Sequence, residues 1–275
     1  MQKLYQRKPP SEKLPSERLL YNMRKKFPLG KKSFLFLKEL LLDILFPQFC
    51  LRCGKEGNLI CQDCLSTIEI SEYQFCPFCK KPNRVRIEDT EKKGKCKAHQ
   101  KMNLDGLFSA TSYENSLVRN LIRKFKYQPF LKTLREPLAF LIIAHFFLSG
   151  NKNFFEKSGS SLFLPVPLYY KREKWRGFNQ SSEIAKILSE FFKIPLQTNN
   201  LIKIKRTQPQ ANLSREERKK NVKDAFLIKN HQTIKGKRIF LVDDVFTTGQ
   251  TLEGCSKVLK EAGAKEVWGI VIARE

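Results

Sequence analysis

The segment at residues 239–251, IFLVDDVFTTGQT, constrains the fold of this chain more than any other. Its first four residues are apolar enough for a buried strand, two acids follow, and a Thr-Thr-Gly turn leads into a helical pattern that ends at Gly263. Ligands of open α/β sheets bind at the carboxyl ends of strands, and a glycine turn entering a helix presents N–H groups to an anion. The segment therefore predicts an α/β fold that carries a phosphate-binding site.

The residue types at this turn indicate which ligand it fits. Thr247, Thr248 and Thr251 offer hydroxyl donors to a phosphate, and Asp243 and Asp244 offer acceptors to sugar hydroxyls. Two carboxylates beside a phosphate loop would repel the ligand unless they held a neutral group or a Mg²⁺ ion. A ribose 5-phosphate meets that condition, and the alternative is a buried strand that ends in an ordinary turn.

The second half of the chain alternates between strand and helix patterns. We predict strands at residues 105–113, 161–167, 226–228, 239–242 and 267–273. We predict helices at 115–127, 134–148, 181–192 and 251–261, with a basic loop after the second strand and a polar loop at 200–213. Such alternation implies parallel strands joined by right-handed crossovers. His145, inside the most apolar helix, is predicted to be a core residue and not a ligand.

Seven of the eight cysteines lie between Cys50 and Cys96, which favours metal binding over disulfides in a reducing compartment. Two C-x2-C pairs, seven residues apart, supply the four ligands of a structural zinc site: Cys50, Cys53, Cys61 and Cys64. A second set follows, with sixteen residues between its halves: Cys76, Cys79, Cys96 and His99. The chain therefore has ligands for one or two zinc ions; with one ion, the remaining cysteines would be free thiols.

The charge balance is strongly basic, with 52 Lys and Arg against 27 Asp and Glu and a formal charge of +25. This excess favours a polyanionic partner, although a basic proteome background would also account for it. The apolar stretches at 34–46 and 138–148 are too short or too interrupted to span a bilayer, which needs about 20 apolar residues. We therefore expect no integral membrane segment and a cytoplasmic location.

Single-stranded DNA is one polyanion for which the sequence offers contacts. Ser214 and Glu217 form a capping box that opens a short basic helix. The candidate DNA contacts on this helix are Arg215, Arg218, Lys219 and Lys220. Phe125 and Trp175, each next to a basic residue, are candidates for stacking on unpaired bases. No DNA-reading motif is present, so we expect binding without sequence preference.

Composition divides the chain into three parts. Residues 1–32 read as a disordered basic tail, residues 33–102 as a helix followed by a zinc-ribbon module, and residues 103–275 as the α/β domain. The module is too poor in aliphatic residues for a core of its own.

From about Leu37 onward, the chain resembles the ComF family of phosphoribosyltransferase-like proteins linked to competence for DNA uptake. Residues 239–251 are similar to the signature of type I phosphoribosyltransferases. Three further stretches carry the resemblance: Phe46-Pro47 before the cysteines; Pro165-Val166-Pro167 before residues 176–180; and Arg206-Thr207 before Gln210, Leu213, Arg218, Asn221, Val222, Ala225 and Phe226. The implied fold is a type I phosphoribosyltransferase-like parallel sheet domain, preceded by a double zinc ribbon.

The resemblance also implies roles for individual residues. The ligand is phosphoribosyl pyrophosphate (PRPP) with Mg²⁺; Asp243 and Asp244 hold the ribose hydroxyls and act in catalysis with Arg206, which opens a mobile lid at 206–218. The implied binding residues are Thr247, Thr248, Gly249, Gln250 and Thr251 for the 5′-phosphate, and Arg176 and Gly177 for the pyrophosphate. Alternatively, the charges around Arg176 are solvated loop residues.

One departure from the family pattern concerns chemistry. Base-salvage relatives often carry an acid where this chain has Thr247, so the acceptor of a phosphoribosyl group stays unidentified. Three hypotheses follow: a phosphoribosyltransferase with a non-DNA acceptor, a PRPP-binding protein of DNA uptake that also binds single strands and partners with the competence machinery, and a PRPP-sensing regulator without catalysis. We favour the second.

Overall fold

The computed structural model describes residues 47–79, 94–151, 154–155, 160–205 and 225–275. The chain divides into two compact units, Met1–Thr67 and Ile68–Glu275. The predicted basic tail, the predicted helix at 34–46 and the segment 206–224 lie outside the described residues. The first cysteine set belongs to the first unit, and the second set belongs to the same unit as the sheet.

In the first unit, two tight turns bring the cysteine pairs together. The N–H of Gly54 donates to the carbonyl of Cys50 (2.9 Å), and Gly54 adopts a φ of 72°, a conformation that glycine takes without strain. Helix α1 (Gln62–Ser66) begins at Cys61, whose sulfur accepts from the N–H of Cys64 (3.4 Å). Each C-x2-C pair therefore forms a turn that points both sulfurs to one side.

Within the part of the second unit that the structure describes, there are six strands. They are β1 (Gly106–Ser112), β2 (Ser161–Pro165), β3 (Leu201–Lys203), β4 (Phe226–Ile228), β5 (Arg238–Phe246) and β6 (Glu266–Arg274). Four of them form a parallel sheet in the order β1-β6-β5-β2, and β3 pairs with β4 in an antiparallel ribbon. The predicted parallel α/β sheet is confirmed.

The described residues of this unit also form the α-helices α2 (Ser116–Lys126), α3 (Arg135–Leu148), α4 (Tyr170–Arg176), α5 (Gln180–Phe192) and α6 (Gln250–Glu261). Asn115 begins α2 by accepting from the N–H groups of Leu117 and Val118. One face of α2 is buried and consists of Leu117, Val118, Leu121, Ile122 and Phe125. No helix in the described ranges is long and apolar enough to cross a membrane.

His145 on α3 is a core residue, as the sequence predicts. Its ring is fully buried, with Nδ1 2.5 Å from the carbonyl of Ser71 and Nε2 3.0 Å from the amide of Gln74. Burial lowers the pKa of His145 to about 4, although the Ser71 carbonyl acts in the opposite direction. The imidazole is therefore neutral and joins α3 to the segment that leads into the second cysteine set.

Three local expectations need correction. The stretch after β2, predicted as a basic loop, contains helix α4, which ends at Gly177 with a φ of 82°. The polar loop predicted at 200–213 begins with strand β3. Strand β5 continues to Phe246, so Asp243 and Asp244 lie inside the strand and not after it. In each case backbone pairing or capping extends regular structure into polar sequence.

The sheet is covered on both faces, which explains why β5 and β6 read as almost continuous apolar runs. On one face, Phe163 of β2 and Phe240 of β5 pack against Phe155, which in turn contacts Phe146 of α3. On the other face, Leu241 and Val271 pack with Leu252 and Leu259 of α6. This second layer fixes the start of α6 at the carboxyl edge of the sheet.

Candidate functional site

The two acids of β5 make different contacts. Asp243 is half-buried, and its Oδ1 accepts from the hydroxyl of Ser181 on α5 (2.9 Å) and from the N–H of Asp244 (2.9 Å). Asp244 is only 3% exposed, and its Oδ1 lies 2.8 Å from Nζ of Lys126, the last residue of α2. The pair therefore joins the edge of the sheet to two helices.

Lys126 is a site residue that the sequence did not identify as one. Burial disfavours its charge, but Asp244 and then Asp243 favour it more strongly, so the pKa of Lys126 is raised. The ammonium group stays ionised and balances one of the two carboxylates. In the sequence Lys126 stands out only as a cation next to Phe125, because its pairing with Asp244 depends on the tertiary fold.

The second carboxylate is harder to ionise. Burial and the neighbouring Asp244 raise the pKa of Asp243 to about 7, although Lys126, the Asp244 amide and the Ser181 hydroxyl lower it. Near neutral pH the Asp243 carboxylate therefore exchanges a proton. Such carboxylates accept hydrogen bonds from neutral donors such as sugar hydroxyls.

Arg176 lies at the end of α4, with its side chain turned into the protein. It is 5% exposed, one of its Nη atoms donates to Gln180, and its guanidinium carbon lies 5.9 Å from the centre of the Tyr127 ring. Asn179 begins α5 by accepting from the N–H of Ser181 (3.0 Å) and donates to the carbonyl of Val166 (3.0 Å). These contacts join the Arg176–Gln180 stretch to the end of β2.

The turn after β5 is built on backbone. Thr247 and Thr248 are exposed, whereas Gly249 is buried with a φ of 74° and begins α6. A Cβ atom added at Gly249 would lie 2.4 Å from Cζ of Phe246, so glycine is the residue that fits above this ring. The first N–H groups of a helix have no partner within it. The N-terminus of a helix is a general binding position for anions, and the exposed Thr247 and Thr248 lie beside this one.

Three buried side-chain atoms in the described residues have no hydrogen-bond partner: Arg176 Nε, Asp244 Oδ2 and Gln250 Oε1. One belongs to each of the three stretches just described. Buried polar atoms are nearly always paired, so each exception calls for an explanation. Here one donor and two acceptors without partners come from the segments to which the sequence assigns pyrophosphate, ribose and 5′-phosphate.

The first cysteine set forms a compact cluster within the first unit. The ligand atoms of Cys50, Cys53, Cys61 and Cys64 all lie within 4.8 Å of one another, and Cys53 and Cys61 are 3.6 Å apart. A tetrahedral zinc ion with Zn–S bonds of about 2.3 Å requires sulfurs about 3.8 Å apart. Burial opposes ionisation of Cys50, but backbone N–H groups lower the pKa of this thiol to about 6. For Cys64, burial and the neighbouring sulfurs raise the pKa to about 12. A bound cation would ionise all four.

The second set forms a similar cluster within the second unit. Nδ1 of His99 lies 3.2 Å from the sulfur of Cys96, 3.5 Å from that of Cys76 and 3.6 Å from that of Cys79. These four ligand atoms also lie within 4.8 Å of one another. Both clusters offer four protein ligands, a donor set that fits structural zinc and leaves no coordination position for a substrate.

The candidate DNA contacts have different outcomes. Arg215, Arg218, Lys219 and Lys220, together with the lid residue Arg206, lie outside the described residues. Phe125 is fully buried, so the prediction that its ring stacks on bases is wrong. Trp175 is 57% exposed on α4.

Comparison with protein families defines the class. A double zinc ribbon domain matches residues 41–98, and a phosphoribosyl transferase domain matches residues 176–275. With the parallel strand order and the turn at Gly249, these matches make the protein a phosphoribosyltransferase-like α/β protein with a zinc-ribbon module, as predicted. A purine phosphoribosyltransferase from Pyrococcus horikoshii is similar at 17% identity and a TM-score of 0.30, over 51% of this chain and 82% of that one. That score is too low to add to the fold assignment.

Relatives identify the family within this class. The chain is 30% identical to Competence protein F of Haemophilus influenzae over 82% of this chain and 96% of that protein. It is 29% identical to Competence protein ComFC of Streptococcus pneumoniae, over 77% and 86% respectively. DNA utilization protein YhgH of Escherichia coli is 34% identical over 38% of this chain and 45% of that protein. The chain belongs to the Competence protein F (ComF) family.

Proposed function

We propose that this chain binds PRPP with Mg²⁺ at the carboxyl edge of its parallel sheet and acts in DNA uptake during competence. The observation that carries the first part is a pair of unpartnered buried atoms, Arg176 Nε and Asp244 Oδ2. A pyrophosphate would pair with the first and a ribose hydroxyl with the second. The relatives' names, Competence protein F and DNA utilization protein, support the second part.

Each segment has a role in this proposal. The turn at residues 247–251 would hold the 5′-phosphate, Asp243 and Asp244 the ribose hydroxyls, and Arg176 with Gly177 the pyrophosphate. Mg²⁺ would neutralise part of the pyrophosphate charge, and a buried carboxylate oxygen such as Asp244 Oδ2 suits a hydroxyl or a water of a hydrated cation. The positive charge of Lys126 would offset the negative charge of the aspartates, which would otherwise repel an anionic ligand.

The same arrangement suits phosphoribosyl transfer. In that reaction the bond between the anomeric carbon and the pyrophosphate breaks, and the acceptor forms the new bond to that carbon. Two carboxylates beside the ribose would stabilise the positive charge that develops on the sugar. Release of pyrophosphate with a candidate acceptor distinguishes a transferase from a PRPP-sensing protein without catalysis.

Calorimetric titration with PRPP and Mg²⁺ tests the site. We expect saturable binding that weakens more than about tenfold when Asp243 and Asp244 are both changed to Ala, since charge-assisted hydrogen bonds contribute roughly 1.5–3 kcal/mol. The control is Glu136→Ala with Glu190→Ala, which removes two exposed carboxylates for the same change in net charge. Equal affinity of both double variants would show that the two aspartates do not hold the sugar.

Single-stranded DNA is the second ligand that we propose, and exposed aromatic side chains favour it. Tyr127, Tyr170 and Trp175 are 46%, 61% and 57% exposed, and Lys171 lies 5.9 Å from the Tyr170 ring. Trp175 also contacts Phe130 edge-on, with ring centres 5.0 Å apart. Exposed rings beside cations suit unpaired bases and their phosphates.

The chain's tryptophans give a direct assay for this ligand. There are two, Trp175 exposed and Trp268 buried, so an oligothymidine that stacks on the surface should quench Trp175. Trp175→Phe should remove the quenching, and Asp243→Ala with Asp244→Ala should retain it. A log–log salt slope of about −0.7 per phosphate contact is expected, flattened by neutralising Arg215, Arg218, Lys219 and Lys220. Absence of quenching in the wild type would contradict stacking.

A further inference from the structure

The second metal cluster, Cys76, Cys79, Cys96 and His99, lies beside the turn that begins α6. Cys79 and His99 line the same cleft of about 1110 Å³ as Thr247, Thr248 and Gly249. The cluster therefore lies next to the turn that carries the proposed phosphate contacts. The hydrogen bonds between the two regions fall into two groups, one for each half of the cluster.

The first half of the cluster is joined to the end of β5 through Arg274. The two Nη atoms of Arg274 donate to the carbonyls of Cys76 (3.3 Å) and Cys79 (2.8 Å). Its guanidinium carbon lies 5.9 Å from the centre of the Phe246 ring. Phe246 is the ring against which Gly249 packs. The Cys76–Cys79 turn, Arg274, Phe246 and Gly249 are therefore successive contacts.

The second half is joined to the first turn of α6 through Glu253. The carboxylate of Glu253 accepts from the N–H and the side-chain amide of Asn103 (both 2.8 Å) and from the N–H of Leu104 (2.9 Å). The segment that holds Asn103 begins at the cluster, since the N–H of Met102 donates to the carbonyl of His99 (3.1 Å).

A buried lysine reinforces this second connection. Lys95, next to Cys96 and 2% exposed, donates to the carbonyl of Met102 (2.5 Å) and lies 3.7 Å from Asp105. The other oxygen of Asp105 pairs with Lys260 of α6 (2.6 Å). The Cys96–His99 half is thereby fixed to both ends of the helix that carries the proposed phosphate contacts.

We infer that the second metal cluster positions the phosphate-binding turn, with Arg274 and Glu253 as the positioning residues. One half of the cluster supports the turn from β5 and the other half supports it from α6. A zinc ion held by Cys76, Cys79, Cys96 and His99 would join the two halves. Backbone contacts to a phosphate require placement to within about 0.5 Å, so loss of the metal should loosen the turn. The identity of the ligand in this inference rests on the proposed function. The effect of the cluster on the position of the turn does not.

The test compares matched losses of one metal. Cys53→Ser removes a ligand of the first cluster and Cys96→Ser a ligand of the second, so each variant should lose one of two zinc ions in elemental analysis. We expect Cys96→Ser to bind ribose 5-phosphate at least about tenfold more weakly and Cys53→Ser to stay within roughly twofold of the wild type. Equal affinity of the two variants would overturn the inference.

Two further measurements keep the test decisive if Cys96→Ser unfolds or if no sugar phosphate binds. Arg274→Gln and Glu253→Gln should retain both zinc ions and weaken ribose 5-phosphate roughly fivefold or more. In hydrogen exchange, the amides of residues 247–252 should exchange faster in Cys96→Ser and Arg274→Gln but not in Cys53→Ser. Unchanged exchange would refute the coupling, whereas absence of sugar-phosphate binding by the wild type would refute the proposed function alone.

Discussion

The carboxylate pair and the turn at residues 247–251, which we propose binds phosphate, lie a few residues apart in β5 and α6, yet they are built in opposite ways. Asp243 and Asp244 are side chains held by Lys126 and Ser181 from two other helices. The turn is backbone, shaped locally by Gly249 above the Phe246 ring, with its threonines exposed. A short segment thus specifies the local shape of the turn, whereas the charge balance of the acids depends on residues that the fold brings in.

Replacing Lys126 should cause the largest loss of stability, and the loss should arise at the carboxylate pair and not at the turn. Lys126→Met leaves the buried Asp244 carboxylate unbalanced, which costs about 3 kcal/mol of unfolding free energy for a buried pair broken on one side. Denaturant unfolding at pH 8 measures it.

The control for this variant is Arg123→Met on the exposed side of the same helix, which should change stability by less than about 0.5 kcal/mol. If the two variants are equally stable, Lys126 does not balance Asp244, and the contrast between the two parts of the site is lost.

Gly249→Ala should affect the turn and spare the acids. The new methyl group would meet the Phe246 ring and force a positive φ on alanine, with strain of about 1–3 kcal/mol and a loss of ribose 5-phosphate affinity of roughly ten- to hundredfold. Gly236→Ala is a matched control, because Gly236 has a φ of 73° with nothing near its Cβ position. An affinity loss in both variants would mean that the effect is global and does not arise at the turn.

The effect of pH on stability and on sugar binding should be smaller than the effects of these substitutions, and it should arise from Asp243. Its pKa of about 7 lies above its ordinary 3.8, so between these values the folded state binds more protons than the unfolded state. The stabilisation from this proton is complete below pH 3.8 and lost as the pH rises through 7. Sugar binding favours the ionised form, so affinity should fall about tenfold per unit below pH 7.

Asp243→Asn separates this dependence from titration of the ligand's own phosphate. Calorimetry at pH 6 and pH 8 should show a steeper change in the wild type than in the variant. Parallel profiles would indicate that Asp243 keeps one protonation state across this range.

The contrast between the locally built turn and the acids held by distant residues also determines which parts of the site can be predicted from the sequence. The turn at 247–251, the parallel strands and both cysteine sets were predictable, because each depends on residues close together in the chain. Lys126 was not, since its partner Asp244 lies on another element. The contacts of the second cysteine set with Arg274 and Glu253 were equally hidden, because composition groups this set with the first and only the fold places it beside α6.

Two errors have the same origin. Phe125 looked suitable for stacking on bases because cations flank it, but helical periodicity turns its ring into the core. The basic stretch after β2 looked like a loop, yet Gly177 provides the left-handed residue that ends a two-turn helix there. In both, the local charge pattern was a weaker determinant than the period of the helix.

Phosphorus-31 NMR of PRPP with Mg²⁺ tests the proposed sugar-phosphate site most directly, because the ligand's 5′-phosphate and pyrophosphate give separate signals. A chain with a formal charge of +25 could attract the pyrophosphate without any specific site. We expect the 5′-phosphate signal to shift and broaden saturably with the wild type and to stay at its free position with Gly249→Ala. Broadening of the pyrophosphate signals alone, equal in both proteins, would contradict a phosphate-binding turn.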